Sequence, residues 1–259
     1  MRKKKLRIGR IPYANLFPIF YYFDQQRNRS DYRFTKGVPS KLNRMLREGK
    51  LDISPSSSIE YLKNKDKYLI LPSFSISSSG PIESILLFST IPLEELGGKT
   101  IAVSSESDTS VALLKIILKE FLSLKCKFKT VKSGLSSFPA FLLIGDSAMK
   151  ESRKSTAPHV YDLAELWHKH TGLPFVFALW IVRKETVSEK RELLNKLSSD
   201  LIKANNYAHK NFPLIAKKAL QKEWLTEKEL VNYWKKISFN LTEKHMEGLR
   251  LFEKYLKSI

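Results

Sequence analysis

Hydroxyl side chains crowd the places where this chain turns from one element into the next. They are Ser54, Ser56, Ser57 and Ser58; Ser77, Ser78 and Ser79 ahead of Gly80; and Ser104, Ser105, Ser107, Thr109 and Ser110. Free backbone N–H groups at a helix start, reinforced by hydroxyl donors, make sites for carboxylates or phosphates. Ordinary helix capping accounts for any one of these serines taken alone. Three clusters in one chain are harder to assign to capping. Glu60, Glu83 and Asp146 stand beside apolar strands and these clusters, and a carboxylate that becomes buried moves toward acid–base use.

Other chemistries find less support. Five histidines occur, and His168 and His170 form the one close pair; on a helix that spacing points the two rings apart. No carboxylate stands at metal-ligand spacing beside them, so solvent-facing histidines are expected and a zinc site is not. The single Cys126 has no disulfide partner and cannot build a cysteine-based metal site. A Gly-x-Ser-x-Gly elbow is missing, which argues against a Ser-His-Asp hydrolase, and the glycine-rich loops that cradle nucleotides are missing too, so neither a metal nor a nucleotide is expected.

The elements that must position the hydroxyls read as alternating strands and helices. Leu6–Ile11 alternates apolar and polar residues, and Pro12, Asn15 and Pro18 mark a loop into an aromatic-rich helix through Phe23. Ser40–Arg47 is a helix ending at Gly49, Leu51–Ser54 a short strand, and Ser57 with Glu60 has capping-box spacing for the next helix. Further strands are expected at 83–89, 100–104, 140–144 and 175–182, with a strongly apolar helix over Val111–Leu122 and helices throughout after about Glu189. Thr226 with Glu229 makes a second capping box, and Leu241 with Met246 a hydrophobic staple around Thr242.

Alternation of this kind specifies an α/β sheet protein. The apolar segments 84–89 and 175–182 bracket a self-contained α/β region. The expected organisation is a discontinuous lobe, residues 1–89 plus 175–259 with the C-terminal helices, and an inserted lobe over 90–174. Ligands in such folds sit between lobes.

At 259 residues, 42% hydrophobic and 11% aromatic, the chain can bury a substantial core, which excludes wholesale disorder. Lys and Arg number 45 against 26 Asp and Glu, a formal charge of +19. The basic residues are spread through every segment and not gathered into an arm. A solvated surface that steers a small anion is therefore expected, and nucleic-acid binding is not. No apolar run approaches the roughly 20 residues of a membrane helix. The basic residues at 2–5 are not followed by an uninterrupted apolar segment, so a soluble cytoplasmic protein is expected.

Several short blocks agree in order and spacing with one known family. They include Arg7-Ile8-Gly9-Arg10-Ile11-Pro12-Tyr13-Ala14-Asn15, Pro39–Asn43, Gly49–Tyr61, Ser75–Ser84, the 104–110 turn, Leu143–Asp146, Tyr161–Leu163 and Thr171–Trp180. From residue 7 to about 183 the chain resembles the chorismate dehydratases of futalosine-type menaquinone biosynthesis. The resemblance implies a periplasmic-binding-protein-like fold of type II, with two α/β lobes around a central cleft. It also implies the conversion of chorismate to 3-[(1-carboxyvinyl)oxy]benzoate and water without a cofactor. A sister family, the 1,4-dihydroxy-6-naphthoate synthases, shares the fold and is expected to carry a His where this chain has Gly145-Asp146. A non-catalytic cytoplasmic binder of small dicarboxylates is the alternative that the fold by itself permits.

The resemblance also implies a site. Asn15 is the group expected at the reacting hydroxyl or enolpyruvyl unit, and Asp146 and Glu60 complete the catalytic candidates. Ser57, Ser58, Ser79 and Gly80 are expected to line one wall, and Thr109 and Ser110 to hold a carboxylate. Tyr13, Ser84 and Phe175 complete the substrate-binding set. No residue stands out as a strong base, and for the family the substrate's own enolpyruvyl carboxylate is the proposed base. The protein would then act as a rigid mould.

Overall fold

Period-two alternation over Leu6–Arg10 makes the first strand, β1, in which Leu6 and Ile8 are fully buried. From there the chain runs through α1 (Phe17–Gln25), β2 (Tyr32–Lys36), α2 (Pro39–Arg47), β3 (Ile53–Ser57), α3 (Ser58–Lys63) and β4 (Tyr68–Ser78). A second series follows: β5 (Ile85–Ser89), β6 (Thr100–Val103), α4 (Asp108–Ile116), β7 (Lys127–Thr130), β8 (Ala140–Ile144), α5 (Gly145–Ser152), β9 (His159–Asp162), α6 (Leu163–Thr171) and β10 (Phe175–Arg183). The remainder is α7 (Lys184–Glu189), α8 (Arg191–Ala216), α9 (Glu227–Lys236), β11 (Ser238–Asn240) and α10 (Glu243–Leu256). The computed structural model describes residues 5–26, 30–104 and 108–259.

Two sheets organise the chain. One has the order β11-β4-β10-β3-β1-β2 and the other β7-β6-β8-β5-β9. In the first, β1 runs parallel to both β2 and β3, while β10 runs antiparallel to β3. In the second, β6 runs parallel to β7 and β8, while β5 is antiparallel to β8 and β9. Two units result, Met1–Ile76 with Ala178–Asn240, and Ser77–Phe177 with Leu241–Ile259.

The divisions differ from those expected. The strand at 85–89 pairs with β8 and β9 and so belongs to the second unit, and the chain passes into that unit within β4 instead. It returns within β10, inside the segment expected. The tail is not wholly in the first unit either. Phe252 of α10 packs edge-on against Phe175 at 4.9 Å and Trp167 at 6.3 Å, which places α10 on the second unit.

Five strands escape the sequence patterns, among them β4, whose apolar run is broken by Pro72 and by serines. β2, β7 and β9 are short and half-exposed, and β7 carries Lys127 and Lys129 on a sheet edge, where charge discourages pairing with another chain. β11 interrupts the helical tail. The capping box of α9 forms as its spacing demands: the Glu229 N–H donates to Thr226 Oγ1 at 3.2 Å, and the Thr226 N–H donates to Glu229 Oε2 at 2.7 Å. At α10, Thr242 is capped through His245, whose Nδ1 accepts from the Thr242 N–H at 3.3 Å.

Candidate active site

In the first unit, β1 and β3 run parallel, so the turn after β1 and the start of α3 leave the sheet at the same edge. Close approach of the two strands requires glycine at position 9, because a Cβ there would sit 2.2 Å from Ser54 Oγ. The turn after β1 carries Tyr13 and Asn15 and is held from two sides. Arg10 makes a two-pronged pair with Asp24 of α1 at 2.8 and 2.7 Å. The buried indole N–H of Trp234 in α9 donates to the Ala14 carbonyl at 2.9 Å. The turn is thus rigid, yet the Asn15 side chain makes no hydrogen bond among the described residues, and its Oδ1 is buried. A turn-forming asparagine would have spent that oxygen on backbone.

Ser57 and Ser58 follow at the end of β3. The capping box expected of Ser57 and Glu60 does not form. Ser57 occupies the N-cap position without a capping bond and accepts instead from Asn43 Nδ2 at 3.2 Å. Glu60 is turned away into a network of its own: it is paired with Arg47, and its Oε1 accepts from Tyr68 at 3.1 Å and Asn64 at 3.4 Å. Burial, with Glu60 beside it, pushes the Tyr68 phenol up. Glu60 is buried and committed to this ion pair, which suits a scaffold role better than proton transfer. Ser56 Oγ is fully buried with no partner among the described residues.

The second unit gathers its candidates in the same manner. Because β6 and β8 are parallel and β5 antiparallel to β8, the ends of β6 and β8 and the start of β5 share one edge. Thr109 and Ser110, in the first turn of α4, are both buried. Ser105 and Ser107 of the third hydroxyl cluster lie outside the described residues. Asp146 stands half-buried in the first turn of α5. Ser84 is buried and is tied to α5 by the Gly145 N–H, which donates to its carbonyl at 2.7 Å.

The loop from Ser79 to Ser84 is shaped by Asp162, a residue to which the sequence assigns no role. Its Oδ2 accepts from the Ile82 N–H at 2.8 Å and the Glu83 N–H at 2.6 Å, while Oδ1 accepts from Ala164 and Glu165 at the start of α6. Burial pushes the Asp162 carboxyl up, against those four backbone bonds. The Asp162…Glu165 spacing ahead of an apolar helix is the signal that identifies it. Glu83 is exposed and sits at φ +58, a left-handed backbone that costs a non-glycine residue about 1–2 kcal/mol. It serves the loop's shape. Gly80 has φ +139 and a carbonyl that accepts from Ser78 Oγ at 2.6 Å, and a Cβ built on it would meet nothing within 4 Å, so there is open space beside its Cα.

Phe175 does not join this set. It is fully buried, with Phe177 at 4.8 Å, Phe252 at 4.9 Å and Trp167 at 5.2 Å, all edge-on. An apolar residue at the start of a central strand packs, and its place in a matching block reflects the core. No group of three or more His, Cys, Asp or Glu able to hold a metal occurs among the described residues, and none of their helices is long and apolar enough to cross a membrane.

Comparison with known proteins gives the arrangement its context. The chain is 35% identical over 201 residues to a chorismate dehydratase of Thermus thermophilus, covering 71% of this chain and 72% of the relative. It is 30% identical over 209 residues to a chorismate dehydratase of Campylobacter jejuni, covering 79% of each. A 1,4-dihydroxy-6-naphthoate synthase of Thermus thermophilus matches at 26% over 184 residues, 70% of this chain and 66% of the relative. A crystal structure of an Archaeoglobus fulgidus protein superposes with a TM-score of 0.80 at 17% identity, over 98% of this chain and 97% of that one. A Candida albicans protein described as having the generic periplasmic binding protein fold superposes with a TM-score of 0.67 at 11% identity, over 99% and 91%. The fold is therefore that of the periplasmic binding proteins, with two α/β lobes, as the resemblance implied. The family model for menaquinone biosynthesis matches residues 6–258, and the chain belongs to that family.

Proposed function

We propose that the protein is a chorismate dehydratase, a hydro-lyase that converts chorismate to 3-[(1-carboxyvinyl)oxy]benzoate and water. The observation that carries this reading is the identity of 35% and 30% to two chorismate dehydratases, against 26% to the sister synthase. The chain's Gly145-Asp146, in place of the histidine expected of the synthases, supports the same choice. A cytoplasmic location belongs to the reading.

The chemistry asks for little from side chains. The C3 proton of chorismate is acidified by conjugation to the ring carboxylate, so anchoring that carboxylate helps form a dienolate-like state. Loss of the C3 proton and departure of the C4 hydroxyl, which together make water, leave the ring aromatic. Asn15 meets the reacting hydroxyl or enolpyruvyl unit; its unpaired amide oxygen on a rigid turn supports this role. Thr109 and Ser110 hold a carboxylate at the start of α4, where the helix dipole adds to their hydroxyls. Ser57, Ser58, Ser79, Gly80, Ser84 and Tyr13 shape the walls, and Asp146 orients a donor. The enolpyruvyl carboxylate takes the proton.

Incubating the purified protein with chorismate and following the aromatic product by absorbance and mass spectrometry tests the reading. Stoichiometric appearance of the benzoate ether is expected, and it should survive exhaustive chelation and dialysis. Binding of chorismate without any product would favour the non-catalytic dicarboxylate binder.

A further inference from the structure

The buried stripe of α2 is Leu42, Asn43 and Leu46, and the middle residue does not suit an apolar face. Asn43 is only 8% exposed, and its Oδ1 is buried with no partner among the described residues. An amide left half-satisfied in such a place costs stability that an apolar side chain would not. Its one side-chain bond is donated by Nδ2 to Ser57 Oγ at 3.2 Å. A hydroxyl has one proton and two lone pairs. With a lone pair of Ser57 occupied by Asn43, its proton points elsewhere, and among the described residues it finds no acceptor. Nor does Ser57 use its oxygen to cap α3, although it occupies the N-cap. Ser57 is half-buried, so its free proton remains within reach of a ligand, while Asn43 is buried.

We propose that Asn43 is a positioning residue: by donating to Ser57 Oγ it fixes that hydroxyl as a hydrogen-bond donor to an anionic group of the substrate. This rests on the dehydratase reading and on Ser57 as part of its binding wall. Asn43 acts through Ser57 and does not touch substrate. Its signature is coupling: removing the amide should matter only while the hydroxyl is present.

The test is a double-mutant cycle in steady-state kinetics with chorismate, using Asn43→Ala, Ser57→Ala and the double variant, with thermal unfolding to verify the fold. Each single change is expected to raise KM about tenfold, the reading of one lost hydrogen bond to a charged group, with kcat nearly unchanged. The double variant should be no worse than Ser57→Ala alone. KM increases that multiply, or an unchanged KM in Asn43→Ala, would overturn the proposal. Should Asn43→Ala fail to fold, Asn43→Asp decides. It keeps the shape but accepts from Ser57 and draws the proton inward, so KM must rise; an unchanged KM would again refute the assignment. Wild-type protein that neither binds nor turns over chorismate overturns the dehydratase reading itself, and the role of the pair with it.

Discussion

The N–H of Gly145 donates to the carbonyl of Ser84 at 2.7 Å, just beyond the last rung of the ladder in which Ile144 faces Ile85. That one bond ties the end of the Ser79–Ser84 loop to the start of the helix bearing Asp146. Asp162 grips the same end of the loop from the β9 side, at Ile82 and Glu83. Backbone groups and a buried carboxylate hold the candidate loop from both sides. Catalysis by positioning, the mould reading proposed above, requires that such a loop be held before substrate arrives.

Phe175 should behave as a core residue. Truncation to alanine empties the space among Trp167, Phe177 and Phe252, and large aromatic deletions in cores cost about 3–5 kcal/mol. Denaturant unfolding should show that loss, while KM for the folded fraction stays near the wild-type value. A stable variant with raised KM would return Phe175 to the substrate-binding set.

Asp52 should make the fold acid-sensitive. It is 2% exposed and accepts from the Arg7 guanidinium at 2.5 Å and from Lys190 Nζ at 2.6 Å. Burial alone pushes its carboxyl up, but the bonds from Arg7 and Lys190 outweigh that and hold it below the usual carboxylate range. A carboxyl with a depressed folded pKa contributes stability that is present above its unfolded pKa of about 3.9 and is lost as pH falls through the folded value. Asp52→Asn leaves Lys190 without its carboxylate and should cost about 3 kcal/mol at neutral pH. Urea unfolding at pH 7 and pH 3 checks both points: the variant should lose less on acidification than the wild type.

Strands that are continuous apolar runs were legible, as at Ile85–Ser89, Ala140–Ile144 and Phe175–Val182, but β4, the longest strand, was not, because Pro72 and the serines break its pattern. The edge strands were not, since β2, β7 and β9 owe their state to neighbours that pair with them and carry little pattern of their own. The serine clusters were visible from composition, and the parallel strands gather them unit by unit. What spacing could not decide was which way a side chain turns. Glu60 stands three residues after Ser57, as a capping box demands, yet Arg47 and Tyr68 offer it a stronger charged network. Asn43 was unreadable for the opposite reason, since a single polar residue on an apolar stripe has no periodic signature.

His245 should add a second pH dependence. Its Nδ1 accepts from both the N–H and the hydroxyl of Thr242, so that nitrogen must carry a lone pair, and burial lowers the imidazole pKa. The unfolded chain, with a pKa near 6.5, binds the proton more readily, so stability falls as pH drops from about 6.5 through the folded value. His245→Gln keeps an acceptor at the third helical position and removes the titration. Its stability should vary less than the wild type's between about pH 5 and 6.5, with a residual slope from His209, whose pKa burial also lowers. Identical slopes in the two proteins would count against the cap.

The mould and conventional acid–base catalysis make opposite predictions for the hydroxyls and for Asp146. If anchoring of charge dominates, Thr109→Ala or Ser110→Ala should weaken chorismate binding by about 1.5–3 kcal/mol, the worth of a hydrogen bond to a charged group. Asn15→Ala should act on kcat instead, by about 10²–10³, the loss seen when one donor to a developing charge is removed. Because the Asn15 oxygen has no protein partner to abandon, that variant should keep its melting temperature. Asp146→Asn retains shape and hydrogen-bonding capacity, so under the mould it should lower turnover only modestly. Under acid–base catalysis it should lose about 10²–10⁴ in kcat with binding intact. Glu60→Gln serves as the control for scaffold damage, since it loosens Arg47 and should lower stability first. A selective collapse of turnover in folded Asp146→Asn, with KM unchanged, would make Asp146 the base and remove the mould.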